Sequence, residues 1–184
     1  ADGSVRFWIS PPAAKPKTPR LAFSAGKSRI TCLAYSGTGN TMAIANGETA
    51  ARIWSVSGKA VMKAKAGEHV GACTCAALSP DGKLLATGGA DWMARTFDAT
   101  KSKMIDRFLG QGHLSHIYAV AFAPDGAAFL SGSNDTQLRV WDAAGVVPKS
   151  RPPIKGEPYP VYAVAWSPDG KRIAAGGASN KVRQ

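Results

Sequence analysis

A histidine, a hydroxyl residue and an aspartate recur in the same order at two places in the chain. They are His69, Thr87 and Asp91, then His113, Ser131 and Asp135. These side-chain types run nucleophilic acyl transfer, in which a carboxylate orients an imidazole that takes the hydroxyl proton. That chemistry also needs donors for an oxyanion, and no oxyanion-hole motif accompanies either set. Cys73 and Cys75 invite a metal or disulfide reading. One intervening residue is too few for an easy bridge, and the second cysteine pair of a zinc site is missing. Neither a phosphate-cradling loop nor paired carboxylates appear, so the sequence assigns no catalytic residue, no metal ligand and no cofactor.

The totals are those of a folded domain. The chain has 184 residues, 45% hydrophobic and 19% charged, far from a disordered composition. No apolar run approaches the length of a membrane span, so a membrane is not among the expected partners. Three cysteines cannot all pair, and buried reduced thiols point to an intracellular, reducing setting. The unusual total is a net charge of +11, from 23 Lys plus Arg against 12 Asp plus Glu. It admits nucleic acid or an acidic protein as partner, beside the plainer reading of a basic solvated surface.

The elements that must position these residues come from an internal repeat. Ser-Pro-Asp-Gly starts at Ser79 and Ser167, Ala-Pro-Asp-Gly at Ala123 and a degenerate Ser-Gly-Thr-Gly at Ser36, with spacings of 43, 44 and 44 residues. Each turn is preceded by a compact apolar run and followed by a small-residue run such as Leu130 to Asn134. An arginine then stands two places before an aromatic, as in Arg52/Trp54, Arg95/Phe97 and Arg139/Trp141, with Arg6/Trp8 at the front. Proline presets φ, aspartate bonds its own backbone and glycine accepts φ > 0, so the chain reverses at each turn. The flanking runs are expected as short strands, apolar on both faces because each packs between neighbouring sheets. Cys73 falls in the slot of Ile30, Ile117 and Val161, and Cys32 and Cys75 in that of Ala119 and Ala163. Those slots favour core thiols over metal ligands.

Residues Gly112 to Asp142 resemble a nearly complete WD-repeat unit. They hold Gly-His, a strand ending in Pro-Asp-Gly, a Ser-Gly-Ser strand, a turn aspartate and a closing Trp-Asp. The resemblance covers essentially the whole chain. It implies an all-β propeller of four-stranded antiparallel blades, with about four blades' worth of sequence. It divides the chain into strands three and four of a first blade (1–24), three repeats (25–66, 67–110 and 111–156) and a partial repeat (157–184). It also implies that His113, Ser131, Asp135 and Trp141 form a structural hydrogen-bond network, with His69, Thr87 and Asp91 a partial copy in which Phe97 replaces the tryptophan. The first repeat carries Gly26, Ile44 and Glu48 in the equivalent slots, and the last Glu157, Ala175 and Ser179. The recurring Arg6, Arg52, Arg95, Arg139 and Arg183 are expected to pack by their stems, with the guanidinium in water or over a ring.

A candidate interaction surface follows from where the basic residues fall. Lys15, Lys17, Arg20, Lys59, Lys101, Lys103, Lys149 and Arg151 lie in the joins between third and fourth strands. Lys171 and Arg172, like Lys83, follow the Pro-Asp-Gly turns, and a propeller brings both sets to one rim. Aromatic residues are not interleaved among them, which lowers a base-stacking reading. Residues 10–20 and 145–160, rich in proline, are expected as extended loops. Val5-Arg6 and Val182-Arg183 occupy one repeat phase, so an incomplete ring is expected. It would be closed by blades of a longer parent or by a second copy giving eight blades. The expected role is a non-catalytic protein-interaction scaffold. The alternatives are a nucleic-acid-associated subunit with a basic face and, third, an enzyme on a propeller.

Overall fold

The computed structural model describes residues 4–7, 21–24, 27–56, 61–66, 69–101, 103–107, 112–143, 153–155, 158–178 and 182–183. All regular structure among them is strand, in antiparallel sheets that follow one another in chain order. β1 (Ser4–Phe7) pairs with β2 (Leu21–Ser24). The next sheet is β3 (Cys32–Tyr35), β4 (Thr41–Ala45), β5 (Ala51–Ser55) and β6 (Val61–Ala66), paired in that order. It is followed by β7 (Cys73–Leu78), β8 (Leu84–Gly89), β9 (Ala94–Asp98) and β10 (Lys103–Arg107). The fourth sheet is β11 (Ile117–Phe122), β12 (Ala128–Ser133), β13 (Gln137–Asp142) and the short β14 (Ile154–Lys155). The last is β15 (Val161–Trp166), β16 (Ile173–Gly177) and β17 (Val182–Arg183).

The sequence period is visible in the turns. Gly39, Gly82, Gly126 and Gly170 all have φ between +70° and +73°, where any side chain would be strained. The first of them lacks the proline and aspartate and keeps the glycine, because the left-handed position is what reverses the chain. In three sheets the ladder shifts register at the top of the inner strand, between Cys73/Cys75, Ile117/Ala119 and Val161/Ala163. Thr74, Tyr118 and Tyr162 sit at these bulges, which re-aim a side chain away from the plain alternation.

Sheets stack face on face through glycine holes. A Cβ at Gly88 would come within 2.5 Å of Ile117 Cγ2, and one at Gly132 within 2.6 Å of Val161 Cγ1. At these two boundaries the β-branched residue heading the inner strand, Ile117 or Val161, fills the space left by the glycine of the preceding blade. Around these contacts Ile53, Leu85 and Phe97 close one interface and Phe129, Trp141 and Ile117 the next. Leu130, Leu138 and Val140 form a third with Val164 and Trp166, and Val5 reaches Met42 and Ile44 at the first. At Gly176 the equivalent position has none of the described residues within 4 Å. Gly132→Val should therefore cost about 1–3 kcal/mol by overpacking, while Gly176→Val stays within about 0.5 kcal/mol. Urea unfolding of the two variants checks this; equal losses would show that the stacking does not use the glycine hole.

Candidate functional site

In the fourth sheet the structure brings His113, Ser131, Asp135 and Trp141 together. His113 approaches its strand at the sheet's inner end, Ser131 lies in β12, Asp135 in the turn between β12 and β13, and Trp141 in β13. His113 Nδ1 lies 2.9 and 3.0 Å from the two oxygens of Asp135, and Nε2 is 2.6 Å from Ser131 Oγ. The carboxylate accepts the Nδ1 proton, which leaves Nε2 to accept from the hydroxyl. The indole Nε1–H of Trp141 donates to the same hydroxyl oxygen at 2.7 Å, and the ring stacks on Phe129 with centroids 6.2 Å apart. This is the connectivity of a hydrolytic triad, yet Ser131 is completely buried and capped by the indole. A substrate carbonyl has no approach to it.

The third sheet repeats the arrangement with changes. His69 Nδ1 is 2.7 Å from Asp91 Oδ1 and Nε2 is 2.9 Å from Thr87 Oγ1, with Phe97 where an indole would donate. Arg95 enters instead: it is buried, contacts His69 Nδ1 and bridges to Asp91 Oδ2 at 2.8 Å. The expectation that the recurring arginines keep a wet or ring-stacked guanidinium fails here. A carboxylate four residues earlier, across a tight turn, is the nearer anchor. Arg52 does the same with Glu48 at 2.6 Å, and Arg139 donates to Gln137 at 2.8 Å. The spacing Glu48/Arg52 and Asp91/Arg95 was the overlooked signal.

Each turn aspartate also accepts a backbone N–H from the segment that leads into the inner strand. Val70 N–H donates to Asp91 Oδ2 at 3.0 Å and Leu114 N–H to Asp135 Oδ2 at 2.7 Å. Burial alone would raise the Asp135 carboxyl, but the bonds from His113, Leu114 and Gln137 bring it from 3.8 down to about 2. In Asp91 the opposing burial is likewise outweighed, by His69, Val70 and Arg95, and the carboxyl is held below its ordinary value. Burial, aided by the Arg95 charge, lowers His69 against the pull of Asp91. The cysteines are free thiols. Burial raises all three, Cys73 up to about 12, so they are poor nucleophiles.

The basic surface is only partly described. Lys83, Lys101, Lys171 and Arg172 are exposed at the turn rim, where Ala99 N–H bonds Lys83 O at 2.7 Å and so ties the two kinds of turn together. Lys83 lies 3.5 Å from Asp81 and Lys101 4.0 Å from Asp98, which offsets part of their charge. Lys103 begins β10. Lys15, Lys17, Arg20, Lys59, Lys149 and Arg151 lie outside the described residues. The opposite rim holds aromatic groups that were not anticipated. His116 and Tyr118 meet edge to face at 6.3 Å, and Tyr118 meets Tyr162 of the next sheet at 5.2 Å. His116 and Tyr118 are two residues apart, and Tyr162 joins them only when the bulged inner strands stand side by side.

The repeat geometry has a counterpart in sequence families. The family model described as WD domain, G-beta repeat matches residues 63–98, 105–142 and 150–184, more than half of the chain. The chain belongs to the WD-repeat family. Its sheets are propeller blades, and its motif residues are the hydrogen-bonded sets just described. The first two matched segments hold those sets, in the third and fourth sheets, and the last segment takes in β14 and the final sheet.

Two outcomes test the energetics of these sets in a WD-repeat blade. Trp141→Ala should cost about 3–5 kcal/mol through the cavity it leaves. Replacement by Phe, which the preceding blade carries as Phe97, should cost about 1–3 kcal/mol in lost volume and one lost donor. Urea titrations read both; a Trp141→Ala loss below the Phe loss would overturn the assignment. The pH dependence has one sign. An Asp135 carboxyl depressed in the fold stabilises above its unfolded value near 3.8, and that stability is lost as pH falls toward 2. A depressed His69 loses stability as pH falls below 6.5, because the unfolded imidazole takes up protons first. The urea midpoint should therefore fall from pH 7 toward pH 3, and Asp135→Asn should flatten the part below about pH 4.

Proposed function

We propose that this chain is a non-catalytic interaction scaffold, whose rigid blades present loop residues to protein partners within a larger assembly. The observation that carries this reading is the commitment of every triad-like group. Ser131 and Thr87 are fully buried, and their imidazoles and carboxylates are spent on each other and on the backbone of the loops they hold. Groups that could have done chemistry instead fix the position of a surface. The face at Gly176, empty of described residues, and the exposed Leu33 and Tyr35 in β3, beside the two-stranded first sheet, support a further part of the proposal. Additional blades cover these faces, supplied by a longer ring or by a second copy of the chain.

The second reading, a subunit of a nucleic-acid-associated complex, rests on exposed Lys83, Lys101, Lys171 and Arg172 on one rim and the net charge of +11. Salt separates the two. Scaffold binding to protein should change little between about 50 and 200 mM salt, whereas phosphate binding should fall by orders of magnitude through counterion release. Competition with single-stranded RNA read at both salt concentrations decides between them. Light scattering on the full chain tests the association. A multiple of 19.1 kDa is expected if copies join, and a monomer with one sharp cooperative unfolding transition overturns the open-face proposal.

A further inference from the structure

On the rim opposite the charged turns, the third and fourth blades expose large apolar side chains in a patterned way. Val70 is 92% exposed and Leu114 72%, in the same slot one residue past His69 and His113. Trp92 is 49% exposed and has φ +66°. Thr136 takes φ +70° at the same turn position one repeat later, so the left-handed backbone belongs to the turn, and what distinguishes Trp92 is its exposed indole. Trp92 follows Asp91, the residue whose carboxylate holds Val70 N–H, so indole and valine flank one turn. The turn of the second sheet lies against the lead-in of the third, with His69 N–H donating to Thr49 O at 2.8 Å and Cys73 N–H to Glu48 O at 2.7 Å. Leu114 belongs to the lead-in that follows Trp92 in this order.

We infer that Trp92, Val70 and Leu114 form a preorganised docking rim for an acidic peptide segment with apolar anchors. This rests on the scaffold reading and names its surface and partner class. The carboxylates of Asp91 and Asp135 tie down the backbone under Val70 and Leu114, so little loop entropy is lost when these side chains are covered. Tryptophan is the residue most able to anchor such a contact. Charge selects the partner. Among the described residues the exposed carboxylates, Asp81, Asp125 and Asp169, all stand in turns of the opposite rim, while Lys27, Arg29 and His116 are exposed on this one. Of the three rim residues only Trp92 offers a plane to a nucleobase, Val70 and Leu114 are aliphatic, and Tyr118 and Tyr162 meet edge to face. A peptide therefore fits better than a single-stranded nucleic acid.

The test uses the full chain and a fluorescent peptide alternating Glu with Leu and Phe, a lysine version of the same peptide, and poly(U) RNA. The acidic peptide should bind and the lysine version should not. Trp92→Gly should weaken binding by at least about tenfold while the thermal midpoint holds or rises, since glycine suits φ +66°. Leu114→Ser should weaken it too, and Lys83→Glu on the other rim should leave it unchanged. Unaltered peptide binding by Trp92→Gly, or binding lost equally in Lys83→Glu, overturns the rim and leaves the scaffold reading standing. Tight, salt-sensitive poly(U) binding with no peptide binding overturns both.

Discussion

Blade stacking sets everything else in this molecule, and at two boundaries it runs through glycine holes. Ile117 fits against the backbone at Gly88, and Val161 fits at Gly132, because no Cβ stands in the way. That close approach brings inner strands near enough for Thr74 Oγ1 to reach the Ile117 carbonyl of the next blade. It also lets Tyr118 and Tyr162 meet across a blade boundary. The interfaces made this way bury Ile117, Phe129, Trp141 and Leu130, and the hydrogen-bond networks add to a stack that already exists.

Within that stack, polar networks do a different job from apolar packing. His113, Ser131, Asp135 and Trp141 satisfy one another in a buried setting where any unpaired member would be costly. Their outward effect is on the loop above them, because the aspartate takes the backbone N–H of the exposed residue. Asp91 works alike with a different cast, since Arg95 supplies a donor in a blade that has Phe97 rather than an indole. Substitution of one network member by another group with the right donors keeps the loop in place. The geometry of a hydrolytic triad is thus reached by residues that share no solvent-facing atom with a substrate.

The two rims differ in chemistry for a reason built into the repeat. One rim is made of Pro-Asp-Gly turns, whose aspartates must face water to bond their own backbone, as Asp81 and Asp169 do with Lys83 and Lys171 N–H. The other is made of lead-ins and turns whose aspartates are drawn inward by histidine. Carboxylates are therefore exposed at one end and withdrawn at the other, and the apolar residues beside the withdrawn ones are left to define that surface.

Sequence alone determined the succession of strands and the turn positions, because these depend on local turn chemistry and a fixed period. Gly39 shows how local this is, since it keeps φ +71° without the proline or aspartate of its counterparts. The slots of Cys73, Ile117 and Val161 were legible for the same reason. The fate of Arg95 was not, because its carboxylate partner becomes its neighbour only once β8 and β9 fold back around the turn. Nor was the meeting of Tyr118 and Tyr162, which needs two blades in contact and a bulge in each inner strand. Tertiary structure alone decided which glycines are filled and which face stays open, and which apolar side chains stand in water. Those outcomes depend on what the neighbouring sheet places opposite a residue, and a linear pattern holds no record of that distance.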